Sequence, residues 1–284
     1  MIEQAVERSE RLAPLRQARA AATRGWRRNV RQGVLEVGPA ALGIAGLCLG
    51  WELVVRAQNV PPYVIPAPSA IFARLWETLP ALLFELQYTL VAAFAGLLCG
   101  SAVGIAGATL MIHWRTLERS LFPLAVILKL TPFVAIAPLL VVWLGYNLWP
   151  RIVIAALITF FPVLVNCLTG LRAVDPLALE FFESLGASKA EVFGRLRWRA
   201  SLPYLAAALK VCINLGLIGA IVGEFFGAEF GIGKVINQSA LKLDMRTMFA
   251  GITVLGLTGI TLTVLANAVE RRVLFWHESS RTVG

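Results

Sequence analysis

Long apolar runs, each of about 20 residues and so long enough for a helix to cross a bilayer, constrain the fold of this chain more than any other feature. The chain is 58% hydrophobic and only 15% charged. That composition lies well outside the usual range of soluble domains. The sequence therefore predicts an all-α, polytopic integral membrane protein.

Six of these runs are predicted to be transmembrane helices. The first, 34–55, follows a basic tail at 1–33 and leads into an outer linker at 56–87, where a proline-rich segment precedes a short interfacial helix. A second interfacial helix is predicted around 236–245. The other five spans, with their loops, form a core at 88–275, and they are predicted at 88–111, 121–144, 152–171, 204–226 and 249–275.

The placement of basic residues predicts the orientation. Of the 26 lysines and arginines, 18 fall on the side of the membrane that holds both chain ends, including the tail 276–284, and six fall on the other side. By the positive-inside rule, both termini are predicted to face the cytoplasm. The basic residues behind the net charge of +9 therefore follow membrane topology, and membrane lipid, not nucleic acid, is the expected partner.

The segment 175–203 is the one long polar interruption in the second half of the chain, and it predicts a helical hairpin. Asp175, which precedes a proline, is a typical helix start, and Gly186 can end that helix in a left-handed conformation. Ser188 and Glu191 have the spacing of a capping box and begin a second, basic helix. Apolar residues four apart share one face of the first helix: Leu177, Phe181 and Leu185.

This hairpin resembles a known motif. Its sequence from residue 180 to 188, together with Leu202-Pro203, is similar to the cytoplasmic EAA loop of permease subunits from bacterial binding-protein-dependent ABC importers, although two phenylalanines replace the usual two alanines. In that family the first helix of the loop docks onto a separate ATPase subunit. The resemblance implies these contact residues: Glu180, Phe181, Phe182, Glu183, Leu185, Gly186, Ala187 and Ser188.

The resemblance extends over most of the chain and carries expectations about function. The segments 66–69, 135–140 and 223–228 are similar to the nitrate, sulfonate and taurine branch of these permeases, and 218–224 also resembles permeases for thiamin precursors and riboflavin. The resemblance implies six transmembrane helices in an ABC importer type I permease-like fold, in a bacterial inner membrane. The implied partners are two copies of an ATPase subunit, a second copy of this permease, and a periplasmic or lipid-anchored binding protein. ATP and magnesium would bind the ATPase, so this chain is expected to be neither an enzyme nor the holder of a cofactor.

Polar residues and prolines inside the spans are candidates for the translocation pathway. Prolines free backbone groups that survive at membrane depth only when they are buried in protein or face water, and charged residues there tend to face a cavity. The less specific alternatives are that the side chains of Lys129 and Lys210 extend towards the cytoplasmic interface and that Glu224 hydrogen-bonds nearby amides. The candidates are Lys129, Pro132, Pro138, Asn166, Lys210 and Glu224.

Two other classes of protein would have different requirements. A proton-coupled secondary transporter would use Glu224 as its proton carrier and need no ATPase. A membrane-embedded enzyme would need a cluster of nucleophile, base or metal ligands, but the only histidines are His113 in a loop and His277 in the tail. No catalytic or metal site is therefore predicted.

Overall fold

The computed structural model describes residues 38–39 and 42–273, so the predicted tails 1–33 and 276–284 lie outside the described residues. The described chain divides into two compact units. One contains the described part of Met1–Pro61 together with Ile65–Ser69, and the other contains Pro62–Val64 and the described part of Ala70–Gly284.

The first unit is built around helix α1, 42–57, which overlaps the predicted first span. Glu52, near its end, fixes the returning chain: its carboxylate accepts hydrogen bonds from the backbone N–H and the hydroxyl of Ser69, at 3.0 Å and 2.7 Å. Arg56 donates to the same carboxylate at 2.6 Å. The carboxylate therefore holds the end of the proline-rich linker against α1.

The remaining elements are all helical within the described residues, and the core packs mainly through α5 and α8. A π-helical turn, Phe193–Arg197, joins α7 to α8. The helices are α2 Pro68–His113, α3 Arg115–Leu130, α4 Phe133–Leu144, α5 Trp149–Arg172, α6 Pro176–Ser184, α7 Lys189–Val192, α8 Trp198–Glu224, α9 Ile232–Leu241 and α10 Met245–Val273.

Glycines allow the helices of the core to approach closely. A Cβ at Gly100 on α2 would overlap Thr159 of α5, and a Cβ at Gly219 on α8 would lie 2.6 Å from the Cα of Ala155, also on α5. Contacts this short are possible only without a side chain, so α5 lies between two helices whose glycines face it.

Helix α2 differs from the prediction, because the expected short interfacial helix is not a separate element. One helix of 46 residues runs from Pro68 to His113 and passes through Pro80. No glycine occurs between Trp76 and Tyr88, and a single proline removes only one backbone hydrogen bond from a helix that is otherwise well supported.

The third predicted span is broken, as its prolines indicated. Helices α3 and α4 meet at an angle of 97°, and Pro132 is the N-cap of α4 while Pro138 lies inside it. Within the described residues, four helices are long and apolar enough to cross a membrane, and the bent pair makes a fifth if it is one span. The count of six stays a prediction, since part of the first predicted span is not described.

Two predicted boundaries near α8 and α10 are wrong. Pro203 does not separate the hairpin from the next span, because it lies inside α8. The helix is held across this point by α5, where Gly170 is close enough to Ser201 that a Cβ would lie 2.7 Å from its Cα. The interfacial helix around 236–245 is α9, and it ends before Met245, which begins α10.

Candidate functional site

The predicted hairpin is present, and local capping interactions define each of its turns. Asp175 caps α6 by accepting a hydrogen bond from the backbone N–H of Leu177 at 3.0 Å. Gly186 has φ of +70°, as a left-handed residue ending a helix does. The capping box is complete, since the N–H of Ser188 donates to Glu191 at 3.0 Å and the N–H of Glu191 donates back to the Ser188 hydroxyl at 3.3 Å.

The face of α6 that points away from the protein is apolar. Leu177 is 72% exposed, Phe181 60% and Leu185 67%, and no residue of α6 is buried. Phe182 lies on the half-buried side, with its ring edge towards Phe181. We call the three exposed residues the apolar stripe of the hairpin. Of the other predicted contact residues, Ala187 is half-buried and the rest are exposed: Glu180, Glu183, Gly186 and Ser188.

The base of the hairpin is fastened to the membrane core. Arg197 in the π-helical turn donates a hydrogen bond to the carbonyl of Leu171 at the end of α5, at 3.1 Å. Phe193 packs between the ring of His113 at the end of α2 and that of Trp198 at the start of α8. These contacts join the hairpin to three helices of the core.

A second polar site lies at the opposite ends of α5 and α8, away from the hairpin. Glu224 ends α8 with its side chain fully buried, and its Oε2 accepts hydrogen bonds from the N–H of Gly233 at 2.7 Å and the hydroxyl of Thr89 at 3.1 Å. Arg151 of α5 lies 3.8 Å from the other carboxylate oxygen and is 94% shielded from solvent. These four residues form a buried, charge-balanced group.

Side chains of this group, together with Glu85, hydrogen-bond to the backbone at the start of α9. The hydroxyl of Thr89 accepts a hydrogen bond from the N–H of Ile232 at 2.9 Å, and Glu85 accepts one from the N–H of Gly231 at 2.6 Å. Arg151 donates to the carbonyl of Phe230 at 2.8 Å. We call Glu85, Thr89, Arg151 and Glu224 the distal polar cluster. It fixes the α8–α9 loop to α2 and α5, because its side chains accept hydrogen bonds from the N–H groups of Gly231, Ile232 and Gly233.

Three other predicted pathway residues contact groups outside the distal polar cluster. The ammonium of Lys129 lies 4.9 Å from the centre of the Phe161 ring. Asn166 donates to the carbonyl of Pro162 within its own helix at 2.8 Å, and Lys210 pairs with Glu270 of α10 at 2.9 Å.

Of the predicted pathway residues, only Glu224 belongs to the distal polar cluster. Sequence reasoning missed its partners Glu85, Thr89 and Arg151. A basic residue directly before the predicted span 152–171 was the available signal for Arg151. The two residues of α2 gave no such signal, since a glutamate and a threonine near the start of the predicted span 88–111 are ordinary there.

Several helices that are long and apolar enough to cross a membrane, with a capped hairpin whose exposed face is apolar, define an integral membrane protein with an apolar surface outside its spans. The family model for the inner membrane component of binding-protein-dependent transport systems matches residues 75–275. The chain belongs to this family of ABC importer permeases, which are not themselves enzymes, and is a multi-pass protein of the inner membrane. Family membership argues against a proton-coupled secondary transporter, and it implies ATPase and binding-protein partners.

Curated relatives cover most of the chain. It is 33% identical to the formylaminopyrimidine transport permease protein ThiX of Halalkalibacterium halodurans, over 80% of this chain and 91% of that one. It is 30% identical to the riboflavin transport system permease protein RibX of Chloroflexus aurantiacus, over 82% and 88%. Identity to the taurine transport system permease protein TauC of Escherichia coli is 28%, over 87% and 91%.

Solved structures share the fold. The MetNI methionine ABC transporter in an inward-facing conformation matches with a TM-score of 0.56 at 18% identity, covering 70% of this chain and 96% of that one. An amino acid ABC transporter matches with a TM-score of 0.59 at 20% identity, covering 71% and 98%.

Proposed function

We propose that this chain forms the translocation pathway of an ATP-driven importer as a homodimer, with two copies of the ATPase docked on the two hairpins. Both termini and the hairpin 175–203 then face the cytoplasm, and an external binding protein delivers a small solute to the opposite side. The positive-inside asymmetry supports this orientation.

The apolar stripe is the observation that carries the proposal. Leu177, Phe181 and Leu185 lie outside the apolar spans yet are each more than half exposed. Burying a leucine or phenylalanine side chain contributes about 1.5–3 kcal/mol, so three together provide a substantial docking surface. The charged residues around the stripe, Glu180 and Glu183, are exposed and can contact the rim of a groove.

The proposed mechanism is alternating access driven by the hairpins. Closure of the two ATPase subunits on ATP brings the hairpins together, and the spans rock so that the cavity opens away from the cytoplasm. Shifting such an equilibrium from 1:99 to 99:1 requires about 5.5 kcal/mol of differential binding. The contacts of Arg197 and Phe193 with the ends of α5 and α2 connect the hairpin to the spans that move.

The test is a charge placed in the stripe. Phe181→Asp is expected to abolish co-purification of the ATPase and ATP-dependent uptake, because a carboxylate would have to be buried in an apolar groove. Phe181→Leu, which keeps an apolar side chain at the same position, is the matched control. It should retain most of the ATPase co-purification and most of the uptake. ATPase association and uptake that survive Phe181→Asp would show that the docking assignment is wrong.

For the solute, two classes have support. Relatives named for formylaminopyrimidine and riboflavin transport are 33% and 30% identical, whereas those named for aliphatic sulfonates and taurine are 26% and 28% identical. We therefore place a small nitrogen heterocycle first, and a nitrate-, sulfonate- or taurine-like anion second, with Lys129 as the basic residue that would attract it. The thermal unfolding midpoint of the paired binding protein, measured separately with a formylaminopyrimidine, riboflavin, taurine and nitrate, distinguishes the two solute classes. A shift with taurine or nitrate alone would reverse the order.

A further inference from the structure

The turn that joins α9 to α10 carries a leucine in a backbone conformation that leucine disfavours. Leu243 has φ of +58°, whereas Asn59, the other non-glycine residue with a positive φ among the described residues, is of a type enriched in that conformation. The N–H of Leu243 donates to the carbonyl of Ala240 at 3.1 Å, and the N–H of Asp244 donates to that of Ser239 at 2.9 Å. This is a helix ending whose left-handed position is usually a glycine, because a Cβ is unfavourable there.

Packing inside the protein does not compensate for this strain. Leu243 is 58% exposed, and Leu241, two residues earlier, is 78% exposed. In the usual form of this helix ending, an apolar residue after the left-handed position packs against the last turn of the helix, but here that residue is Asp244. Strained backbone positions cluster at functional sites, so the strain at Leu243 indicates a contact outside this chain.

Three helices hold the turn in one position. Asp244 accepts hydrogen bonds from the N–H and the hydroxyl of Thr247 in the first turn of α10, at 3.2 Å and 2.6 Å. Arg74 of α2 donates to the same threonine hydroxyl at 2.8 Å and lies 3.7 Å from the Asp244 carboxylate. Since α9 itself packs against α2 and α10, the backbone that carries the two exposed leucines is fixed.

The turn lies at the end of the protein opposite the hairpin. Helix α10 begins directly after it, and Glu270 near the other end of α10 pairs with Lys210, in the part of α8 that follows the hairpin. Helix α2 contacts the turn through Arg74, and its far end at His113 contacts Phe193 at the base of the hairpin. In the orientation proposed above, the turn is therefore on the outer side, where the binding protein approaches.

Helix α9 does not place an apolar face against lipid. Its apolar residues Ile232 and Ile236 pack inward against α2 and α10. Leu241 lies on the opposite side of the helix, one turn after the exposed Gln238. An acyl phase is fluid and accepts an apolar side chain in many directions, whereas an apolar anchor of a protein interface fills a shaped pocket. Leucines on a fixed and strained turn therefore fit a protein partner better than lipid.

The charges at the turn indicate the kind of surface that the partner presents. Lys242, between the two leucines, and Arg246, at the start of α10, are exposed. Asp244 is already engaged by Thr247 and Arg74, so the free charge around the leucines is positive. Apolar anchors beside basic residues are complementary to an apolar pocket whose rim carries carboxylates.

We propose that the turn 241–244 docks the external binding protein. Leu241 and Leu243 are the apolar anchors that enter a pocket of that protein, and Lys242 and Arg246 face carboxylates at its rim. The inference rests on the proposed function, because it uses the orientation and the partner of that proposal. It adds the residues of this chain that contact the binding protein, which neither the hairpin nor the distal polar cluster supplies.

The affinity of the paired binding protein for the permease–ATPase complex in nanodiscs tests the proposal. Leu243→Gly removes an anchor and relieves the left-handed strain, so the thermal unfolding midpoint should stay unchanged or rise. Binding should nevertheless weaken about 10- to 100-fold, which is about 1.4–2.7 kcal/mol. Leu243→Met keeps an apolar side chain of similar volume at the same position and should retain most of the affinity. Lys242→Glu should mainly slow association, because charges at the edge of an interface act on the encounter rate.

Three results would overturn the proposal. Undiminished affinity in Leu243→Gly would show that the turn is not the docking site. If that variant instead unfolds more easily, Leu241→Ser decides, because it changes an exposed helical position without strain, and undiminished affinity there has the same meaning. Undiminished affinity together with an unfolding midpoint that falls in nanodiscs but not in detergent would assign the turn to the membrane surface. A wild-type complex that binds no external protein would refute the proposed function itself, and this inference with it.

Discussion

At the scale of single residues, Glu224 is the position where a small change is expected to matter most. Its carboxylate is fully buried and faces Arg151 at 3.8 Å, so Glu224→Ala leaves a buried guanidinium without its opposite charge. Breaking a buried pair in this way costs about 3–5 kcal/mol. We expect a marked fall in the thermal unfolding midpoint in detergent, whereas Glu229→Ala, which removes an exposed carboxylate five residues away, should have little effect. Equal midpoints for the two variants would contradict the role of Arg151 as a counter-charge.

Gly231 gives a second test of the distal polar cluster. Its φ of +125° is unfavourable for any other residue, and a Cβ there would overlap the Glu224 carboxylate. Gly231→Ala should therefore lower the unfolding midpoint and displace the start of α9. Gly256→Ala on α10 is the matched control, because no atom lies within 4 Å of its Cβ position. A midpoint for Gly231→Ala as high as that of the control would mean that the loop adapts freely and that the cluster does not fix it.

Residues whose partners are close in sequence were predictable, and those with distant partners were not. The caps at Asp175 and Ser188 were predicted because each bonds to a residue within three positions. The hydrogen bond between Thr89 and Glu224 joins residues 135 positions apart, and no periodicity or local motif carries that information. Glu224 could be singled out as a polar residue in an apolar span, but its partners become visible only when α2, α5 and α8 pack together.

At the scale of elements, the turn between α6 and α7 can be tested with two glycines that both have open space for a side chain. Gly186 has φ of +70°, whereas φ of Gly194 is not positive, and neither has an atom within 4 Å of its Cβ position. Gly186→Ala should destabilise the turn by about 1–2 kcal/mol through left-handed strain. Gly194→Ala should stabilise its helix by up to about 1 kcal/mol.

Hydrogen exchange measures these two effects. We expect faster amide exchange across α6 and α7 in Gly186→Ala, and unchanged or slower exchange in Gly194→Ala. Faster exchange in both variants, or in neither, would show that the left-handed residue does not define the hairpin.

Helix lengths were less predictable than helix positions. The prediction made the short interfacial helix a separate element and ended the hairpin at Pro203, but α2 and α8 continue through Pro80 and Pro203. A single proline removes one hydrogen bond, and packing on both sides decides whether the helix continues. By contrast, the break at Pro132 occurs where α3 and α4 turn by 97°, so proline alone does not distinguish the two outcomes.

At the scale of the whole molecule, one continuous helical segment links the hairpin to the distal polar cluster. The segment Lys189–Glu224 has 36 residues and spans roughly 54 Å at 1.5 Å per residue. Its first turns belong to the hairpin and its last residue is Glu224. A displacement of the hairpin by the proposed ATPase contact would therefore reach the opposite face of the membrane along a single element, whose π-helical turn at Phe193–Arg197 is the irregular point where bending would concentrate.

The central claim, that this permease works only with a separate ATPase, is tested most directly by purifying the tagged chain from its native host in mild detergent and measuring what comes with it by quantitative mass spectrometry. We expect an ATPase subunit in equal stoichiometry, and ATP-dependent uptake when the complex is placed in proteoliposomes with its binding protein. A protein that is isolated alone and transports in proteoliposomes without ATP would contradict the account.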